Sequence, residues 1–119
     1  ILGLPGEGKE DGIRTAEHIG KTADGIKIQS LFILAGTKLA DMYEKGEYRP
    51  LSKKDYIDML CECVEILPSD TVIHRITGDP PKKLMLAPEW AADKKRVLAD
   101  IDKAFTARDV RQGAKADKV

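Results

Sequence analysis

The sequence carries no excess of either charge: 20 lysines and arginines stand against 20 aspartates and glutamates in 119 residues. A chain of zero formal net charge makes no global field that draws in nucleic acid or an anionic membrane, although a local basic patch stays open. Cysteine is scarce, with only Cys61 and Cys63. On a helix, residues two apart project about 200° from each other, so these thiols neither bridge nor share a metal. They read as core or boundary thiols, and unbridged thiols point to a reducing compartment, the cytoplasm. No apolar run approaches the ~20 residues of a membrane span, and none resembles a signal peptide. Internal repeats and low-complexity runs are also lacking.

What is present, 42% hydrophobic and 34% charged residues, suits one globular domain or part of one. A chain of this size buries about two thirds of its unfolded surface, a modest core with little margin. It opens on Ile1 and runs straight into an apolar strand, so a boundary inside a longer protein is expected there, with strand partners upstream.

Along the chain, Ile1-Leu2 reads as the end of a buried strand and Gly3-Leu4-Pro5-Gly6 as a tight turn. Glu10 to Lys21 follows as a helix with Ile13, Ala16, Ile19 and Gly20 near one face. Gly25 to Leu34, β-branched and partly alternating, reads as one strand stopped by Gly36 and Thr37. Two strands joined by such a helix should be parallel. Lys38 to Gly46 suggests a short helix. Ser52 and Asp55 sit at capping-box spacing before a helix whose apolar face is Tyr56, Leu60, Cys63, Val64 and Leu67, ended by Pro68. Thr71 to Ile76 is a strand turned by Gly78-Asp79-Pro80-Pro81, and a loop runs from there to Trp90, which should pack at the start of the last helix. That helix, Asp93 to about Arg108, should bury Val97, Leu98, Ile101, Ala104 and Phe105, and residues 111–119 form a flexible tail.

Gly3 to Lys9 fits GxxxxGK between a strand and a helix, the position of a phosphate-binding loop. Glu10 replaces the hydroxyl residue that would meet magnesium, and Glu7 places a carboxylate where backbone amides must cradle phosphate. A nucleotide-binding α/β module with a degenerate P-loop therefore stands as the alternative, beside a purely structural glycine turn.

Ile1 to Glu7, Ile-Leu-Gly-Leu-Pro-Gly-Glu, resembles the GxIxGxxE-type segment of radical S-adenosylmethionine (SAM) enzymes. Ile26 to Gln29, Gly36 to Ala40, Met42-Tyr43, Gly46 to Leu51, Val72 to Asp79 and Leu86 to Trp90 extend the likeness over nearly the whole chain. The resemblance is to the C-terminal part of a bacterial Fe-S oxidoreductase subfamily related to the Elongator catalytic subunit. It implies an α/β fold: the C-terminal βα units of a partial (βα)6 TIM-type barrel in residues 1–50, with a mainly helical C-terminal extension in 51–110.

For site residues it implies adenine-side SAM contacts at Gly3, Leu4, Pro5, Gly6 and Glu7, glycines letting main chain approach a flat ring at the strand ends where such sheets bind ligands. The cofactors implied are SAM and a [4Fe-4S] cluster in the full-length protein. The cluster needs the CxxxCxxC loop of an N-terminal half, for which Cys61 and Cys63 cannot substitute, so no metal is expected on this chain. The full-length enzyme would then cleave SAM reductively and abstract hydrogen from a substrate, this segment being inactive alone. The family tends to carry a His or other polar residue near Phe32 and a lysine near Ala35, and if those positions do chemistry there, a different substrate is expected here.

Gln29, His74, Arg75, Thr77 and Asp79 are the candidate substrate contacts, at strand ends where a barrel presents its active face. The plain alternative is that Arg75 and Asp79 brace the loop together and His74 is a satisfied buried histidine. Strict alternation would put His74 and Ile76 on one face and Arg75 and Thr77 on the other. Lys27 and Gln29 lie opposite Ile26 and Ile28. Lys82-Lys83 and Lys94-Lys95-Arg96 could form a basic patch for a tRNA or RNA substrate, or simply solvated surface. The missing N-terminal half is the expected partner, and an exposed barrel edge predicts self-association of the segment alone.

Overall fold

The computed structural model describes residues 1–116 of the 119. Helix α1 spans Lys9–Thr22, β1 Gly25–Lys27, β2 Ile33–Leu34, α2 Lys38–Glu44, α3 Lys53–Ile66, β3 Val72–Arg75, β4 Met85–Ala87 and α4 Lys94–Ala107, with a single 3-10 turn at Glu89–Ala92.

The helices start where capping chemistry tells them to. The Ser52 hydroxyl accepts from the Asp55 amide at 3.1 Å at the head of α3, and the Asp93 carboxylate accepts from the Arg96 amide at 3.1 Å at the head of α4. Each satisfies one of the donors a first turn leaves unpaired. At α1 the roles reverse, the Asp11 carboxylate reaching back to the Gly8 amide at 2.7 Å.

Helix α3 is the centre of the molecule. Tyr56, Ile57, Met59, Leu60, Cys61, Cys63 and Val64 are all buried, because α1 covers one flank and α4 another. The approach of α1 depends on its small residues. A Cβ on Gly12 would lie 2.8 Å from a Leu2 methyl, and one on Gly20 would lie 2.6 Å from the Pro68 ring. The Cys63 thiol points across this contact, donating to the Gly12 carbonyl at 3.7 Å.

The strands form a parallel array against these helices. β1 pairs in parallel with β3, and Leu2 bridges in parallel to Ser30, which places the residue 25–30 stretch between its two neighbours. Leu2, Ile28 and, less completely, Ile26, Ile73 and Ile76 pack into the α3 core. The parallel βα unit expected from the sequence is therefore present, and β3 extends it. β3 pairs with β1 and α3 packs on Leu2, so residues on both sides of position 50 contribute to the main core.

Four features differ from expectation. The Gly25–Leu34 strand is broken after Leu31: β2 turns away to pair antiparallel with β4, around a small second core of Ile33, Ala40 and Ala87. β4 itself lies in what reads as loop, since three residues carry too little alternation to signal a strand. Leu98 is 38% exposed, so α4 buries only Val97 and Ile101 fully and its apolar stripe is narrower than the pattern suggests. The expected flexible tail is anchored as far as Ala116: Gln112 donates to the Pro68 and Thr71 carbonyls at 2.7 and 2.6 Å, and the Lys115 amide to the Glu65 carbonyl at 2.8 Å. Residues 117–119 of that expected tail lie outside the described residues. Among the described residues no helix is long and apolar enough to cross a membrane.

Candidate functional site

Because the three strand segments run in parallel, their carboxyl ends fall at one edge, where sheets of this kind leave backbone and loop residues free to meet ligands. The glycine turn is fastened to that edge by the residue before it. The Leu2 amide donates to the Gln29 carbonyl at 2.8 Å and the Leu31 amide to the Leu2 carbonyl at 3.0 Å. Gly3 and Gly6 both take positive φ, +93° and +78°, and the Glu7 amide closes the turn on the Leu4 carbonyl at 3.0 Å. Leu4 is half-buried, while Pro5, Gly6 and Glu7 face solvent.

Gln29 reaches from the middle strand to the corner after β3. Its Oε1 lies 2.9 Å from the point a Cβ on Gly78 would occupy, with the Phe32 ring 2.8 Å away. Thr77 and Asp79 flank that glycine, Thr77 buried and Asp79 exposed. Gln29, Thr77 and Asp79 thus come together beside the strand end that carries the glycine turn.

Arg75 and Asp79 do pair, at 3.6 Å, but the stronger partner of Asp79 is Lys94 at 2.6 Å. The Lys94 hydrogen bond, helped by Arg75, holds the Asp79 carboxyl below its ordinary value. This network ties the β3 corner to the start of α4. His74 stands apart. The register between β1 and β3 is irregular at this point, Ile26 facing Ile73 and Lys27 facing Arg75, so His74 has no partner and strict alternation fails. Its imidazole is exposed and lies over Gly25, Nε2 being 2.7 Å from the position of a Cβ there. Gly25 opens β1, so the His74 imidazole reaches back towards the amino end of that strand, away from the corner that gathers Gln29, Thr77 and Asp79. The alternative of a satisfied buried histidine does not hold, since His74 is exposed.

The turn rests on two residues that the reading of the strand ends passed over. The Tyr48 hydroxyl donates to the Gly3 carbonyl, and Leu51 lies against the Gly3 Cα, its Cδ1 being 2.9 Å from where a Cβ would project. Glycine at position 3 is therefore required by the fold itself. Gly6 differs, since nothing lies within 4 Å of a Cβ placed there. Tyr48 and Leu51 fall in Gly46 to Leu51, a string whose likeness to the family shows in the sequence but whose target across the chain does not.

The phosphate-loop alternative meets two occupied partners. The Gly8 amide is taken by the Asp11 carboxylate, and the Lys9 ammonium is paired with Glu62 at 3.0 Å. The Gly8 amide and the hydrogen bond from Arg14 hold the Asp11 carboxyl below its ordinary value, so a second anion at this helix start would meet a charge already in place. The cysteines offer no metal site either. Burial pushes both thiols up, Cys63 to about 11, and Cys63 faces Gly12 while Cys61 lies near Arg108 on the other flank. Among the described residues no cluster of His, Cys, Asp and Glu could hold a metal ion.

A family model described as the Radical_SAM C-terminal domain matches residues 23–107. The chain belongs to this family. It is 40% identical over 114 residues to the Bacillus subtilis protein YtqA, a match that covers 95% of this chain and 35% of YtqA. It is 29% identical over 62 residues to Elongator complex protein 3 of Mus musculus, covering 52% of this chain and 11% of that protein. Among solved structures, archaeal Methanocaldococcus infernus Elp3 with an N-terminal deletion superimposes with a TM-score of 0.77 at 20% identity, over 94% of this chain and 26% of that one. The mixed α/β fold of this radical SAM segment is that of the corresponding region of Elp3. The segment is the C-terminal part of a radical SAM protein, and it spans about a third of the length of YtqA.

Proposed function

We propose that the full-length protein is a radical SAM iron-sulfur oxidoreductase in which this segment contributes the adenine side of the SAM site and part of the substrate site. The observation that carries this reading is the shared edge: the exposed glycine turn after Leu2, Gln29 on the middle strand and the Thr77–Asp79 corner after β3 lie together at the carboxyl ends of parallel strands. Open space at Gly6 suits the close approach of a flat ring to main chain, whereas Gly3 is consumed by packing on Leu51. Leu4 and Pro5 would offer apolar contact and Glu7 a polar edge. Gln29, Thr77 and Asp79, with Arg75 held by Asp79, would meet substrate, and His74 would be an outlying member of that group.

SAM and a [4Fe-4S] cluster bound upstream would supply the radical that abstracts hydrogen. This chain's own residues would orient the adenosyl group and exclude water from it, and would supply none of the iron ligands. Upstream strands of a partial (βα)6 barrel would pair beyond Leu2 and cover the exposed Ile1, which is 57% open to solvent. Left without those strands, the segment would be inactive and would self-associate through the same edge.

RNA as the substrate class draws support from Lys82 and Lys95, which line one open depression with Asp93, Leu98 and the Asp79-paired Lys94. The experiment that tests the proposal is anaerobic reconstitution of the full-length protein and of residues 1–119 side by side. The full-length protein should bind iron and sulfide stoichiometrically and release 5'-deoxyadenosine from SAM under reduction, and residues 1–119 should do neither. Full-length protein that holds no cluster, or holds one and leaves SAM intact, would defeat it.

A further inference from the structure

We infer that Tyr48 is a positioning residue for the ligand turn, its hydroxyl fixing the Gly3 peptide so that the main chain from Leu4 to Gly6 keeps the shape presented at the strand edge. The inference rests on the proposed adenine site for its ligand, but its geometry stands on contacts of the chain itself.

The turn has few anchors of its own. Beyond Leu2, its only internal backbone bond is from Glu7 to the Leu4 carbonyl, and two of its glycines adopt positive φ, where backbone freedom is greatest. A single donor from 45 residues away meets the first carbonyl of the turn. The peptide plane that carries that carbonyl also carries the Leu4 amide, so holding one end sets the direction of the other. Tyr48 can hold it firmly because it is itself held. It is half-buried against the small core of Ile33, Ala40 and Ala87, and burial raises its phenol, keeping the hydroxyl a donor.

Leu51, three residues on, closes the other side. Its side chain walls Gly3, and its carbonyl accepts from the Trp90 indole at 3.0 Å, while Trp90 stacks on Tyr56 with ring centroids 5.6 Å apart. A chain of contacts therefore runs from the first turn of α3 through Trp90 and Leu51 to the turn, with Tyr48 as its polar contact. A substrate-contacting role for Tyr48 is not needed, since its hydroxyl is directed at Gly3.

The test is Tyr48→Phe in the full-length protein, which keeps the ring and removes only the donor, with Tyr43→Phe on the exposed face of α2 as control. Four quantities are read: SAM affinity by calorimetry, cluster absorption, the unfolding temperature, and hydrogen exchange of a peptide spanning the Gly3–Glu7 turn. Tyr48→Phe should weaken SAM binding about fivefold, the effect of one lost hydrogen bond, and speed exchange in the turn, leaving cluster absorption and the unfolding temperature near wild type. Tyr43→Phe should change none of these. Turn exchange and SAM affinity both unaltered by Tyr48→Phe would overturn the inference. If the wild-type protein fails to bind SAM while Tyr48→Phe still speeds exchange in the turn, the adenine reading falls and the hold of Tyr48 on the turn stands. If the turn loosens but SAM binds wild-type-tight, the positioning role is refuted.

Discussion

Gln29 and Gly78 meet across the middle strand and the corner after β3: the amide oxygen of Gln29 lies 2.9 Å from the point where a Cβ on residue 78 would stand. The corner can pass this close only because residue 78 has no side chain. Phe32 shares the contact at 2.8 Å, so a methyl group added at 78 meets a rigid ring as well as a flexible amide.

Gly78→Ala should therefore lower stability by about 1–3 kcal/mol, the usual cost of overpacking. Gln29→Ala should not relieve it, whereas Phe32→Leu should recover part of the loss. Urea denaturation of the single and double variants checks the order. Full recovery by Gln29→Ala would mean that the ring gives way more easily than the contact implies.

Gly3 and Gly6 should part company on substitution. Gly3→Ala combines a left-handed backbone with a contact on Leu51 and should cost about 2–4 kcal/mol. Gly6→Ala meets only the backbone term and should cost about 1 kcal/mol. Thermal unfolding of both variants measures the difference. Equal losses would contradict the assignment of Gly3 to the fold and Gly6 to open space.

Trp90 joins the start of α4 to α3 through its stack on Tyr56 and its indole bond to Leu51. Trp90→Ala should cost about 3–5 kcal/mol, and Trp90→Phe, which keeps a ring but loses the donor, distinctly less. Unfolding followed by circular dichroism gives both numbers.

The Cys63 thiol has its pKa raised by burial, first of all, to about 11 from an ordinary 9.0. The folded state thus prefers the protonated thiol, and the stabilisation from this group is complete below the unfolded pKa and lost as pH rises through the folded one. Denaturant midpoints should fall between about pH 9 and pH 11 in the wild type, and fall less over that window in Cys63→Ala, after allowing for that variant's lower starting stability. An identical pH profile in the two proteins would contradict the burial account.

The helices were legible because their signals are local. Ser52, Asp93 and the spacing of Tyr56, Leu60, Cys63, Val64 and Leu67 each state a cap or a face within a few residues. Parallel pairing followed from a helix between two apolar stretches. The break after Leu31, the slip at His74 and strand β4 were not legible, since each depends on a partner some 50 residues distant and none changes the local pattern. The same holds at the site. A glycine turn announces itself in sequence, but the reason for glycine at position 3 is Leu51, and the bond that orients the turn comes from Tyr48. Leu98 shows the opposite failure, a residue with helical apolar spacing that ends up 38% exposed, lining an open depression with Lys82 and Lys95.

The central claim is that the turn at Gly3–Glu7 receives the adenine side of SAM, and calorimetry of SAM against full-length protein bearing Gly6→Val tests it most directly. Gly6 is the right position because its Cβ direction is empty, so a side chain there intrudes on a ligand before it meets the protein, and Gly6→Ala, which carries the same left-handed backbone strain at φ +78° with little bulk, serves as the control for that strain. The account predicts SAM affinity reduced at least about tenfold, a loss on the order of 1.4 kcal/mol, with iron and sulfide content unchanged. SAM binding as tight in Gly6→Val as in the wild type would contradict it.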